Sequence, residues 1–285
     1  MVKAYHRPAQ VAEALSLIMD PNDKNVPLAG GTTLALNPRG VDGIVDLADL
    51  GLSYIQPSGG SLKIGATTVL REIQRSEPVR QFAGGMLSES AKNYLTALIR
   101  NRATIGGILA AGNFWADIAT VLVTLNASLK IIQASNGSGA GKRPSELVVS
   151  VEDFIQKGPR KTLAGGILKE LEIPSCPAGG VCSYNRLAKV ETDISILSAA
   201  AMVTMSGKTV QSARVAVSTG AKPVRLRSIE DNARGKSPAA LADLASAAAR
   251  AIPAESDIRA SAEYRREVAA VLVRRLIQTT EVASK

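Results

Sequence analysis

Two short segments with paired glycines constrain this chain more than anything else in it. The first is Leu28-Ala29-Gly30-Gly31-Thr32-Thr33-Leu34. The second is Arg102-Ala103-Thr104-Ile105-Gly106-Gly107-Ile108, followed ten residues after Gly107 by Asp117. Each places two residues without a Cβ beside hydroxyl side chains, so backbone amides can turn outward and approach a ligand closely. Successive outward amides make a concave anion nest, and a helix starting just behind adds its positive end. Two such bends suit a diphosphate, and the expectation is that they converge on the pyrophosphate of a dinucleotide.

What is missing narrows the field. Neither bend fits G-x-G-x-x-G or G-x-x-x-x-G-K-[ST], so a nicotinamide-type Rossmann domain and a P-loop nucleotidase lack their signatures. There is no H-E-x-x-H, C-x-x-C or G-x-S-x-G, and the single histidine, His6, reads as a surface or edge residue. No residue is therefore assigned a catalytic or metal-binding role, and a bound cofactor is expected to carry the chemistry. The two cysteines, Cys176 and Cys182, are too few for a four-thiolate iron–sulfur cluster or a disulfide framework. No apolar run reaches the roughly 18–20 residues of a membrane span, and the N-terminus has no apolar signal core, so a cytoplasmic protein is expected. The net charge of +9 comes without a basic run, and with only three Phe, one Trp and five Tyr for base stacking, so nucleic acid is not expected. Arg225, Arg227, Arg259, Arg265, Arg266, Arg274 and Arg275 are spaced like solvated helix faces, and an acidic partner subunit would account for the charge.

In chain order, the pattern predicts a strand over 2–5, a helix over 8–19 and strands over 26–28 and 43–47, with a brief turn at 34–36. A hairpin follows, 54–56 with 62–66, turning at Gly59-Gly60. Thr67 or Thr68 is expected to cap a helix through Ile73. Further helices are expected over 82–95 and 115–125, strands over 128–134 and 147–149, and a glycine-rich turn over 136–141. Pro174-Ser175-Cys176-Pro177-Ala178-Gly179-Gly180 is the best linker candidate. Beyond it come strands over 196–205 and 210–217 and helices over 239–252 and 260–282, the last with Val268, Val271, Leu272 and Leu276 on one stripe. At 285 residues the chain divides at this linker into 1–174, with subdomains of about 1–52 and 53–174, and 175–285.

In order and spacing these segments resemble the FAD-binding subunit of molybdenum hydroxylases, the group of xanthine dehydrogenase, carbon monoxide dehydrogenase and aromatic-substrate dehydrogenases. The resemblance covers nearly the full length. It rests on both double-glycine segments, Val45-Asp46-Leu47, Leu62-Lys63-Ile64-Gly65-Ala66-Thr67-Thr68, Asp117, Glu152-Asp153-Phe154, Leu171-Glu172-Ile173-Pro174 and Tyr264-Arg265-Arg266. It implies an α+β architecture: a two-part FAD-binding domain of the vanillyl-alcohol-oxidase/PCMH-like type, then a smaller α+β C-terminal domain.

By this resemblance, Leu28, Ala29, Gly30, Gly31, Thr32, Thr33 and Leu34, with Ala103, Thr104, Gly106, Gly107 and Ile108, would wrap the FAD diphosphate. Asp117 would accept a bond from a ribitol or ribose hydroxyl, against its plain reading as a helix N-terminal charge. Tyr94 would contact the adenine side or be a helix core aromatic. Leu168 would lie near the flavin ring, Arg186 at its pyrimidine edge, where a cation would stabilise the anionic reduced ring, and Tyr184 would shield a ring face or be a buried strand residue. Two departures bear on the site: Ile108 stands where the family commonly has Asn, and Phe114, followed by Trp115, stands where it commonly has Pro. The resemblance further implies a small [2Fe–2S] subunit and a large molybdenum-cofactor subunit as partners, in a dimer of heterotrimers. A stand-alone flavoenzyme of the same fold, such as a cell-wall precursor reductase or an alcohol oxidase, and a non-catalytic assembly protein without flavin are the alternatives.

Overall fold

A computed structural model describes residues 2–36, 40–134 and 144–283; the turn expected over 136–141 lies outside them. Three short strands, β1 (Ala4–His6), β2 (Asn25–Leu28) and β3 (Gly43–Asp46), pair in parallel in the order β1–β3–β2. Parallel neighbours need a crossover, and the helix Val11–Ile18 supplies one. It begins at Val11, not at Pro8, because Gln10 is still extended. Ala14 and Leu15 of this helix share a core with Val45, Leu47, Ile132 and Ile167, which docks the small sheet on the next one.

The second sheet is antiparallel, in the order β4–β5–β8–β6–β7. Its members are β4 (Ile55–Ser58), β5 (Ser61–Gly65), β6 (Ser128–Gln133), β7 (Ser145–Ser150) and β8 (Ile167–Ile173). Several short helices fill the excursion between β5 and β6, and three differ from the sequence pattern. The helix Leu70–Arg75 starts from Val69 without a threonine cap. Thr68 is instead fully buried, its hydroxyl donating to Tyr54 O and accepting from Tyr54 N. The helix expected over 82–95 is divided: Ala83, Gly84 and Gly85 take left-handed backbone angles, and the helix proper is Met86–Lys92. The helix after the second bend starts at Asp117 rather than 115, leaving Trp115 outside it to stack on Tyr94 with ring centroids 5.5 Å apart.

The third sheet runs β12–β11–β10–β9, with β9 (Gly180–Leu187), β10 (Leu197–Ser206), β11 (Thr209–Ser218) and β12 (Val224–Arg225). Helices Pro238–Arg250 and Ala262–Ala283 cover one face. On the latter helix the buried residues include Arg265, Ala269, Ala270, Leu272, Val273, Leu276 and Ile277, whereas Val271 is 44% exposed, so the stripe lies rotated from the expected one. The run Ser198-Ala199-Ala200-Ala201 keeps β10 thin enough to be buried on both faces, and the other face receives the helix Asp117–Thr124. Every residue of that helix is buried. It is tied to the sheet by Thr120 Oγ1 to Ser198 Oγ (3.0 Å) and by Arg214 Nη1 donating to Thr124 O (3.0 Å).

Two arginines expected on solvated faces are interior. Arg265 is 1% exposed and donates to Ile196 O, Thr219 O and Asp257. Arg225 bridges Glu230, Glu152 and Asn126, joining the third sheet to the helix Val151–Lys157. Among the described residues no helix is long and apolar enough to cross a membrane.

Candidate functional site

Strand β2 ends at Leu28, whose carbonyl accepts the last bond from Leu47 N (2.9 Å). The chain then leaves the sheet through the first bend. Gly31 takes φ +74°, a conformation that favours glycine, and a methyl group on Gly30 would come within 1.9 Å of Arg102 O. The two bends, far apart in sequence, therefore touch. None of the amides of residues 29–34 finds an acceptor among the described residues, while the carbonyl of Gly31 accepts from Ala35 N (2.9 Å). Half-buried, unengaged amides side by side are what an anion replaces.

These amides face a groove of about 320 Å³ lined by residues 27–34, Thr104, Gly107, Ile108, Ala110, Ala111 and Leu163. It continues one way, past Gly30 and Thr104, into a polar cavity of about 470 Å³ with Tyr5, Asp46, Asn101 and Arg102 in its wall. The other way it reaches a narrower apolar recess of about 70 Å³ lined by Gly106, Gly107, Ala66 and Leu168. Ala103, buried at 1%, backs onto Gly30, its Cα 3.1 Å from where a Cβ on Gly30 would stand.

The second bend is built differently from the first. It is the N-terminus of the helix Ile105–Ala110, and its amides are already used. Ile105 N donates to Thr68 O (3.1 Å) and Gly106 N to Ala66 O (2.9 Å), while Gly107 N donates to Oγ1 of Thr104, the N-cap (3.1 Å). This corrects the expectation of two equivalent nests: the first bend offers free donors, and the second offers a capped helix end as a wall. Gly106 is required by packing, since a methyl there would meet Ala66 and, at 2.9 Å, Leu168 Cδ2. A methyl on Gly107 would meet Thr104 Oγ1 at 2.7 Å, so a side chain there strikes the cap first.

Tyr94, Asp117, Tyr184 and Arg186 form a second cluster. Asp117, 7% exposed, accepts on Oδ2 from Tyr184 OH (2.6 Å) and Ser195 Oγ (2.8 Å), with Arg186 Nε 3.3 Å away. Its Oδ1 is buried without a partner among the described residues. Burial pushes the Asp117 carboxyl above its ordinary range, opposed by the bonds from Tyr184 and Ser195 and by the Arg186 charge. Burial likewise pushes the Tyr184 phenol up, and the Asp117 charge adds to it. Arg186 spends its guanidinium on Asn93 O (2.9 Å), Glu191 O (3.1 Å) and Asp193 O as well as on Asp117. The crevice between Tyr94, Trp115, Asp117 and Ser195 holds only about 10 Å³.

Asn113 reaches from the loop before Asp117 to the first bend, its Nδ2 donating to Thr33 Oγ1 (3.1 Å). The sequence pattern did not single it out, nor Leu163 and Ala110 in the groove wall. An amide side chain in the loop between a glycine-rich helix and a buried aspartate is the only signal that pointed to it.

The pattern described as "FAD binding domain in molybdopterin dehydrogenase" matches residues 1–176, and that of the "CO dehydrogenase flavoprotein C-terminal domain" matches 183–280. The chain belongs to the molybdopterin-dehydrogenase FAD-binding family. It is 29% identical to the glyceraldehyde dehydrogenase medium chain of Sulfolobus acidocaldarius over 94% of this chain and 95% of that one. It is 28% identical to the carbon monoxide dehydrogenase medium chain of Hydrogenophaga pseudoflava over 96% and 95%. The solved carbon monoxide dehydrogenase from the latter organism, lacking the Mo-pyranopterin moiety of its molybdenum cofactor, superposes with a TM-score of 0.86 at 26% identity, covering 99% of this chain and 98% of that one. The chain is thus an FAD-binding oxidoreductase subunit of the molybdenum hydroxylase family, with the two-part fold expected for it. Its departures from the family pattern are accommodated inside: Ile108 is 3% and Phe114 5% exposed, both within the main core. Neither fills the groove.

Proposed function

We propose that this chain is the flavin-carrying medium subunit of a three-part molybdenum hydroxylase. In this reading it receives electrons from the [2Fe–2S] clusters of a small subunit, after substrate oxidation at a molybdenum cofactor in a large subunit, and delivers them to an external acceptor. The observation that carries the reading is the row of unengaged amides at residues 29–34 facing a groove closed by the Thr104–Gly107 helix end. That geometry fits the diphosphate of FAD, because amide donors and a helix N-terminus both favour an anion.

When bound, FAD supplies the redox chemistry. The chain's residues would hold it: Thr32 and Thr33 would flank the diphosphate, Leu168 and Gly106 wall the apolar recess, and Asp117 Oδ1 would accept a hydroxyl proton. Arg186, whose Nη atoms donate to three carbonyls and whose Nε lies 3.3 Å from Asp117 Oδ2, would act chiefly by orienting Asp117. The names of the relatives as medium chains support partner subunits, and two cysteines leave iron–sulfur clusters to those partners. The division into 1–174 and 175–285, the dimer of heterotrimers and a cytoplasmic location belong to the same proposal.

The purified chain is expected to be yellow, with flavin absorption bands, and to co-purify from its native source with iron- and molybdenum-containing subunits detectable by metal analysis. A colourless chain that takes up no added FAD would overturn the flavin assignment. A yellow chain without metal-bearing partners would point to a stand-alone flavoenzyme.

A further inference from the structure

Asp117 lines the crevice between Tyr94, Trp115 and Ser195, and its orphan Oδ1 is buried. The crevice measures about 10 Å³, room for a single water at most. A carbon chain bearing a hydroxyl cannot enter unless a wall gives way. Most of the walls are pinned. Asp117 belongs to a helix buried along its whole length. Asp193 O is held by Arg186 Nη2, and the buried Ser195 donates to Asp117 (2.8 Å). Tyr94 is buried, and Arg100 Nη1 donates both to its carbonyl (3.3 Å) and to Leu95 O (2.6 Å). Trp115 is the wall without an anchor. It is half-buried and stacks on Tyr94 with the ring planes 10° apart. Neither its backbone nor its indole nitrogen makes a hydrogen bond among the described residues. Its neighbours Phe114 and Ala116 are buried, their amides fixed on Gly112 O (2.8 Å) and Asn113 O (3.1 Å). A side chain held between two fixed residues can turn about its own χ angles without moving the loop.

We propose that Trp115 is a gate on Asp117: stacked on Tyr94 it closes the crevice, and it swings off Tyr94 to let a ligand hydroxyl reach Oδ1. The inference rests on the flavin reading above, the hydroxyl being one of the ribitol or ribose hydroxyls of FAD. The loop that carries Trp115 also reaches the groove, through Asn113 Nδ2 on Thr33 Oγ1 (3.1 Å). A ligand seated on the first bend therefore lies beside the loop that holds the gate. Opening exchanges the ring stack for a hydrogen bond to a carboxylate, the stronger of the two interactions. A stacked pair of this kind favours the closed arrangement by roughly three- to tenfold. The flavin-free chain is then competent to bind in only a fraction of its molecules, and its apparent affinity is lowered by that fraction.

Trp115 is the only tryptophan in the chain, so fluorotryptophan reports on it alone. In the full-length flavin-free chain the fluorine NMR signal should shift little between H2O and D2O, and the isotope shift should grow once FAD is bound, as the indole leaves Tyr94 for solvent. In a fluorescence titration Trp115→Ala, which has no ring to close the crevice, should bind FAD roughly three- to tenfold tighter than the parent. The fluorine measurement needs no substitution, so it decides the question even if Trp115→Ala fails to fold. An isotope shift unchanged by bound FAD, or a folded Trp115→Ala that binds FAD no tighter than the parent, would overturn the gate and leave the flavin reading standing. A parent chain that takes up no FAD would overturn both.

Discussion

Asp117 shows how one residue can serve binding at the expense of stability. Its carboxyl is raised by burial, so the fold favours its protonated form. The sign follows by linkage: this group's contribution to stability is fully present below the unfolded-state pKa and is lost as pH rises through the raised folded value. The ionised carboxylate is therefore the costlier form in the apoprotein, and its buried Oδ1 is placed to accept a hydroxyl proton. Asp117→Asn should melt no lower than the parent at pH 7, while Asp117→Ala should weaken FAD binding by about 1–3 kcal/mol, the range of a charged hydrogen bond. Calorimetry and a fluorescence titration check both; a large drop in melting midpoint for the Asn variant would make Asp117 a structural ion-pair partner of Arg186 instead. Gly30 is the complementary case. Because its Cβ position coincides with Arg102 O, Gly30→Ala must push the two bends apart, and the purified variant should carry little or no flavin.

At the scale of elements, the second bend is a helix end whose geometry depends on one hydroxyl. Thr104→Ala removes the acceptor for Gly107 N and should lower stability by about 1 kcal/mol, read from denaturant unfolding. Thr104→Ser, which keeps the oxygen, should restore most of it. This element also marks where sequence reading succeeded and stopped. Paired glycines beside hydroxyls identified both bends and their convergence, because glycine spacing is a local property of the chain. Which amides were free was not legible, since Thr68 O and Ala66 O, which consume those of the second bend, come from a segment some 40 residues away. Strand β9 is legible in the sequence only at Tyr184, for a related reason. Cys182-Ser183-Tyr184-Asn185-Arg186 has little alternation, and it becomes a strand by pairing with the alanine-rich β10. Arg265 was misread as solvated because helical spacing cannot reveal that Ile196 O and Thr219 O need its donors.

At the scale of the molecule, three sheets are held together by buried contacts made through the helix Asp117–Thr124 and by the charge cluster around Arg225. That side chain is 8% exposed and joins Glu230 and Glu152 across the boundary between the second and third sheets. Removing one partner of such a cluster leaves the other charges uncompensated, so Arg225→Ala should cost about 2–4 kcal/mol in thermal or denaturant unfolding. An effect near zero would show that the sheets dock without it. The same docking sets Tyr184 and Ser195 of the third sheet's segment on Asp117, so the crevice at Asp117 takes walls from both units, whereas the groove is lined by residues before β9. The central claim is that the free amides of residues 29–34 hold a diphosphate. Comparing FAD with riboflavin on flavin-free protein by fluorescence titration tests it most directly. The account predicts that FAD binds about a hundredfold tighter or more, as expected from two or more charge-assisted hydrogen bonds, and that Gly30→Ala abolishes the difference. Equal affinities for FAD and riboflavin, or an undiminished preference for FAD in Gly30→Ala, would contradict it.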